Sequence, residues 1–164
     1  MIKLIVLDVD GCMTDGGIIY TNSGEEIKKF DVKDGFAIVS WRKLGGELAI
    51  ITGRDSKIVE NRAAELGIKY LYQGVKDKKA TLEKLLEEIG ISFDQVAAIG
   101  DDLNDYKLLS CVGKSFTPND GADKVKGMVD YVLTRKGGDA AVREMIEIVI
   151  KENGQMERFL ELWI

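Results

Sequence analysis

Ile5-Val6-Leu7-Asp8-Val9-Asp10-Gly11 is the stretch that decides how this chain is read. The apolar run ahead of the acids marks a strand buried on both faces, over Lys3 to Val9, and such strands belong to parallel sheets. Its last residues surface at the carboxyl edge of the sheet, where open α/β folds keep their ligands. Two carboxylates one residue apart repel each other there unless a cation or a proton is shared between them. The following loop, Gly11-Cys12-Met13-Thr14-Asp15-Gly16-Gly17, is too rich in Gly and Asp to be core. The stretch reads as a reactive or metal-holding strand end.

Beyond it, short apolar runs alternate with amphipathic stretches. Ile18-Ile19-Tyr20 and Glu26 to Phe30 flank the turn Thr21 to Glu25, which predicts a β-hairpin. Ala37, Ile38, Trp41 and Leu44 recur at helical spacing, with Asp34 as the expected N-cap and Gly45-Gly46 as the stop. Leu48 to Ile51, Tyr70 to Tyr72, Val96 to Ile99, Lys114 to Thr117 and Tyr131 to Leu133 read as further strands. Helices are expected from Ile58 to Leu66, Leu82 to Ile89, around Tyr106 to Leu109, around Ala122 to Val125, and from Ala141 to Ile150. Strands separated by helices imply βαβ units. The predicted fold is a doubly wound, Rossmann-like α/β parallel sheet forming one domain over residues 1–164. The segment Gln155 to Ile164 is too apolar for a solvated tail, so it packs on its own domain or docks on a neighbouring subunit.

Composition narrows the function. The 164 residues are 45% hydrophobic, enough for one sizeable core. A net charge of −5 argues against nucleic acid as a partner. No apolar stretch has the length of a membrane span, and acids arrive too early for a signal peptide. Cys12 and Cys111 offer no disulfide framework and fit a reducing cytoplasm. The chain has no histidine, which removes Ser-His-Asp triads and histidine-held zinc.

Further segments fall on the same sheet edge as Asp8. Thr52-Gly53-Arg54 offers a hydroxyl, a permissive backbone and an expected helix N-terminus, together an anion cradle. Among Lys76, Lys78 and Lys79, Lys78 is the choice for a lysine turned toward phosphate and carboxylates. Gly100-Asp101-Asp102-Leu103-Asn104-Asp105 places three more acids at a strand end, which is costly unless a hard cation binds them. Oxygen ligation of that kind suits Mg²⁺. Cys12 lacks a partner that would activate it and reads as a packing residue.

Taken in order, strand-Asp-Val-Asp-Gly, strand-Thr-Gly-Arg, Lys and strand-Gly-Asp-Asp resemble the haloacid dehalogenase superfamily of Mg²⁺-dependent phosphohydrolases along essentially the whole chain. The resemblance implies that Asp8 is the nucleophile and Asp10 the general acid and base, with its main-chain carbonyl on the metal. It implies that Thr52, Gly53 and Lys78 hold the phosphoryl group, and that Asp8, Asp10, Asp101 and Asp102 gather around Mg²⁺. Only the hairpin, Gly16 to Asp31, follows the first motif, so the chain looks like a capless member. Asp8-Val9-Asp10-Gly11, Thr14-Asp15-Gly16, Tyr72-Gln73-Gly74, Gly100-Asp101-Asp102-Leu103 and Gly137-Gly138 are similar to the 3-deoxy-D-manno-octulosonate 8-phosphate phosphatases and the related nonulosonate 9-phosphate phosphatases. That likeness implies a sugar acid phosphate substrate and a homotetramer joined through hairpins and C-terminal tails. Arg54 is then the candidate for the sugar carboxylate, with Asp34-Gly35 for its hydroxyls.

Asp139-Ala140 departs from the pattern, since relatives often carry Gly after an Arg or Glu there. A receiver-type phosphoacceptor module is the rival from another class. Receivers put their acceptor Asp after the third strand, where this chain has Gln73-Gly74, and they have no hairpin.

Overall fold

The computed structural model describes residues 1–164. In chain order the elements are β1 (Leu4–Leu7), β2 (Ile19–Tyr20), β3 (Glu26–Ile27), α1 (Val32–Lys43), β4 (Glu47–Ile51), α2 (Lys57–Leu66), β5 (Tyr70–Tyr72), α3 (Lys78–Ile89), β6 (Val96–Ile99), α4 (Tyr106–Leu109), β7 (Lys114–Thr117), α5 (Asp123–Lys126), β8 (Tyr131–Val132), α6 (Ala141–Glu152) and α7 (Met156–Glu161). Six strands form a parallel sheet in the order β5-β4-β1-β6-β7-β8. The pair β2 and β3 is a separate antiparallel hairpin. This is the expected doubly wound α/β architecture.

β1 is central, with Leu7 opposite Ile50 of β4 on one side and Ile99 of β6 on the other. All four of its residues are buried, which explains its unbroken apolar run. Because side chains alternate along a strand, Ile5 and Leu7 enter the core under α1, α2 and α6, while Leu4 and Val6 enter the one under α3, α4 and α5. The chain turns from β1 to β4 and β5, then crosses back to β6. This reversal puts the topological switch point between β1 and β6, where a crevice opens outside the strand ends.

Several helix limits follow from single residues. Gly67 and Gly90 close α2 and α3 in the left-handed conformation, as their positions predict. After α1, Gly46 leaves room for the Trp41 ring, which a Cβ would meet at 2.0 Å. The indole N–H donates to Glu47 O at 2.9 Å. The N-cap of α1 is Asp31, not Asp34: the Asp31 carboxylate accepts from Lys33 N at 2.7 Å. Of the two placements open to the C-terminal segment, the structure realises packing on its own domain. Phe159 is buried, the Trp163 ring lies 4.5 Å from Phe36 of α1, and its N–H donates to Ser40 Oγ at 3.1 Å. No helix is long and apolar enough to cross a membrane.

Asp34 has a different task from either role expected of it. It is buried beside α6, and its Oδ1 accepts from Arg143 N at 2.8 Å. The residue before α6, Ala140, has no side-chain oxygen, so Asp34 caps that helix from another element. Ala140 itself keeps φ at +64°, a conformation that favours Gly and costs a non-Gly residue roughly 1–2 kcal/mol. The second oxygen of Asp34 has no partner. Burial therefore pushes its pKa from 3.8 up to about 7, against the bond from Arg143.

An acid whose folded pKa is raised binds a proton more tightly in the folded state, so stability falls as pH climbs through that window. Between pH 4 and pH 7, urea unfolding of the wild type is expected to lose ground against Asp34→Asn. The difference grows by up to roughly 1.4 kcal/mol per pH unit. A constant difference across that range would show that Asp34 does not carry the buried charge.

Candidate active site

The site lies where the ends of β1, β4 and β6 meet the hairpin. A cavity of about 280 Å³ is lined by Asp8, Asp10, Thr52, Gly53, Arg54 and Asp101, with Gly16, Asp102 and Asn104. No apolar side chain faces it, so it suits a small, strongly polar ligand.

Asp8 directly follows β1 and is only 6% exposed. After it the backbone enters a wide π-type turn, Val9–Met13, in which Gly11 adopts φ of +89°. Gly11 is required for a second reason: a Cβ would fall 2.0 Å from Asp101 Oδ2. Its absence lets the carboxylate after β6 approach the loop after β1. The buried Thr14 hydroxyl accepts from Gly16 N at 3.2 Å and steadies the loop. Gly137-Gly138 pack on the loop's other side, where Gly138 N donates to Cys12 O at 3.1 Å.

Lys78, the first residue of α3, is 4% exposed. Its ammonium donates to Asp8 Oδ1 at 2.8 Å and to Asp105 Oδ1 at 2.5 Å. Lys76 is exposed and Lys79 pairs with Glu83, so neither runner-up takes this place. Thr52, at the end of β4, is buried and lines the cavity. The expected helix N-terminus is not there: α2 starts only at Lys57, and Ser56 N donates to Gln73 Oε1 at 3.0 Å. Arg54 stands at the rim, donating to Tyr20 O–H at 3.2 Å and Glu26 at 3.3 Å on the hairpin.

Of the three acids after β6, Asp101 joins Asp8. Their carboxylate oxygens and Cys12 Sγ all lie within 4.8 Å of one another. Asp102 does not join them. It is exposed, and its carboxylate caps a short 3₁₀ turn by accepting from Leu103 N at 2.7 Å. It lines the same cavity, with no oxygen in the cluster that Asp8 and Asp101 form. Asp105, unassigned from the sequence, is buried and accepts from Asp101 N at 3.0 Å as well as from Lys78. Its spacing of three from Asp102 was the available signal, since the two acids form a capping box that turns the Asp105 carboxylate back to the backbone at the strand end. Lys28 was also missed. It reaches from the hairpin to Asp10 Oδ1 at 2.5 Å.

Three carboxylates, Asp8, Asp101 and Asp105, thus crowd around a single ammonium, leaving an excess of two negative charges. Burial and the charge of Asp105 raise the Asp8 pKa to about 6, although Lys78 opposes this. Burial and Asp8 raise that of Asp101 to about 7. Asp8, Asp101 and the main chain near Asp10 therefore fit a divalent, oxygen-seeking cation in charge, donor type and proximity. Burial and the same acids push the Cys12 thiol well above its usual range, in keeping with a packing role.

A parallel sheet with acids at the ends of β1 and β6, braced by a buried lysine from a later crossover, defines a phosphohydrolase of the haloacid dehalogenase-like type. The family profile described as haloacid dehalogenase-like hydrolase matches residues 70–146. The 3-deoxy-D-manno-octulosonate 8-phosphate phosphatase KdsC of Escherichia coli K12 is 42% identical over 156 residues, 95% of this chain and 83% of the relative. A crystal structure of the Moraxella catarrhalis 3-deoxy-D-manno-octulosonate 8-phosphate phosphatase, in complex with magnesium, phosphate and KDO, superposes with a TM-score of 0.96. It is 40% identical, over 99% of this chain and 94% of that one. The cobalt-bound Haemophilus influenzae phosphatase superposes with a TM-score of 0.89 at 38% identity, over 93% and 90% of the chains. The chain belongs to the haloacid dehalogenase-like hydrolases, in the same family as these phosphatases.

Replacing Lys78 by Met would leave Asp8 and Asp105 buried without their shared ammonium. Breaking a buried pair of this kind costs roughly 3–5 kcal/mol. Urea unfolding at pH 8 is expected to fall by that much, and a loss below about 1 kcal/mol would remove Lys78 from its bracing role.

Proposed function

We propose that this chain is a Mg²⁺-dependent phosphomonoesterase whose substrate is the 8-phosphate of 3-deoxy-D-manno-octulosonate. The observation that carries the reading is the convergence of Asp8, Asp101 and Lys78 at one strand edge with negative charge in excess. The relatives acting on that ester support the choice of substrate.

In the first step an Asp8 carboxylate oxygen attacks phosphorus and the bond to the sugar oxygen breaks, while Asp10 gives that oxygen its proton. In the second step Asp10 takes a proton from water, whose oxygen attacks the phosphoryl group on Asp8. Phosphate leaves and the Asp8 carboxylate is restored. Lys78, the Thr52 hydroxyl and the Gly53 backbone hold the phosphoryl oxygens. Asp8, Asp101 and the Asp10 carbonyl would hold Mg²⁺, which would supply neutralisation of charge on the phosphoryl group. Arg54 at the rim meets the carboxylate of the sugar acid. The acidic side chain of Asp139 is exposed and lies 4.0 Å from Arg135, outside the set of residues that line the cavity. The departure at 139–140 therefore lies outside the cavity wall, which supports keeping the octulosonate ester as the substrate.

The reading includes one domain over residues 1–164, a cytoplasmic setting and a homotetramer. Ile18, Ile19, Tyr20 and Ile27 of the hairpin are exposed and apolar, which supports assembly through the hairpins. With Phe159 buried and one side of Trp163 against Phe36, the tail still exposes Leu160, Ile164 and part of Trp163 for that purpose.

The test is phosphate release from octulosonate 8-phosphate, nonulosonate 9-phosphates and generic sugar phosphates, with Mg²⁺ and with excess chelator. Octulosonate 8-phosphate is expected to have the highest kcat/KM, chelation to stop release, and Asp8→Asn to be inactive while folded. Equal turnover of generic sugar phosphates would overturn the substrate, and turnover in chelator would overturn the metal.

A further inference from the structure

We propose that Lys28, carried on the hairpin, is a positioning residue for Asp10: from there it sets the proton-donating carboxyl of the reaction. The proposal rests on the phosphatase reading above and deepens it.

Asp10 needs an external anchor. It sits at the start of the wide turn, just before Gly11 in its left-handed conformation, and no backbone N–H holds its carboxylate. The sole hydrogen-bond donor to that carboxylate is Lys28, with Nζ 2.5 Å from Oδ1. The Lys28 side chain is 1% exposed, against 20% for that of Asp10. A lysine is seldom so enclosed without a specific charge partner.

The hairpin geometry explains its aim. Glu26 and Lys28 are two residues apart on the same arm, so both face inward, while Ile27 between them faces out and is exposed. Glu26 accepts from Lys28 at 3.0 Å and from Arg54 at 3.3 Å, and Arg54 also holds Tyr20 O–H across the hairpin. The circuit closes where Arg54 Nε stands 3.9 Å from Asp10 Oδ2. Two arms of the hairpin are thereby tied to the residues after β1 and β4. Lys28 pins Oδ1 of a residue that lines the cavity. As Asp10 passes its proton to the departing sugar oxygen, negative charge appears on its carboxyl, and the Lys28 ammonium already faces it.

The test exploits the leaving group. An alkoxide needs a proton as it departs, whereas p-nitrophenolate leaves without one. Full-length wild type, Lys28→Met, Lys28→Arg and Asp10→Asn are compared with Mg²⁺ on octulosonate 8-phosphate and on p-nitrophenyl phosphate. The quantity read is kcat/KM, which reports the step that forms the Asp8 phosphoryl group. Lys28→Met is expected to lose roughly 100-fold or more on the sugar ester but less than tenfold on the aryl ester, following the pattern of Asp10→Asn. Lys28→Arg is expected to recover most of the loss on the sugar ester. The ratio between substrates is insensitive to the folded fraction, so partial unfolding cannot imitate this result. Equal losses on the two esters, an undiminished sugar-ester rate, or failure of Arg to rescue would overturn the role of Lys28 and leave the phosphatase reading standing. A wild type that hydrolyses neither ester would overturn that reading and this proposal with it.

Discussion

Three carboxylates, two of them buried and bonded to Lys78 and the third half-buried beside them, gather at the switch point of the sheet around one buried ammonium, and the rest of the site is arranged around that imbalance. Lys78 bonds to both Asp8 and Asp105, while Asp105 in turn accepts from Asp101 N, so one lysine links the ends of β1 and β6. The ammonium cancels one charge and leaves two. Burial first, and then that surplus, raise the proton affinities of Asp8 and Asp101 in the protein alone. A doubly charged hard cation answers it better, because it lets both acids stay ionised and ready for a phosphoryl group.

The fold brings these groups together through backbone economy. Gly11 has no Cβ to meet the Asp101 carboxylate, and Gly137-Gly138 press on the same loop from behind. The strand ends supply one side of the site, whereas the hairpin adds the other through Tyr20, Glu26 and Lys28. The polar lining explains why a small, highly charged ester fits where an apolar ligand does not.

Much of this was legible in the sequence, for local reasons. The run before Asp8 is apolar because both faces of β1 are covered, and its reading led to the right sheet and edge. Asp8 and Asp101 stood out because acids rarely follow buried strands without cause. Lys78 was singled out only as one of three nearby lysines, and its burial against Asp8, 70 residues earlier, decided between them. Asp105 escaped because its partner lies on another crossover. Lys28 escaped because a hairpin folding back over a strand end leaves no periodic trace. Asp34 was misread for a related reason. Asp31 and Asp34 both suit a helix start, and only the later approach of α6 gives Asp34 its true partner. Asp102 looked like Asp101, but its carboxylate caps the turn at Leu103 and stands outside the cluster that Asp8 and Asp101 form.

The most direct measurement is the structure of the protein crystallised with Mg²⁺ and beryllofluoride, an analogue of a phosphoryl group that bonds to carboxylate oxygen. The account predicts the adduct on the Asp8 carboxylate, with Lys78 and Thr52 against its fluorines and Mg²⁺ between it and Asp101. An adduct on another side chain, or Mg²⁺ bound away from both Asp8 and Asp101, would contradict it.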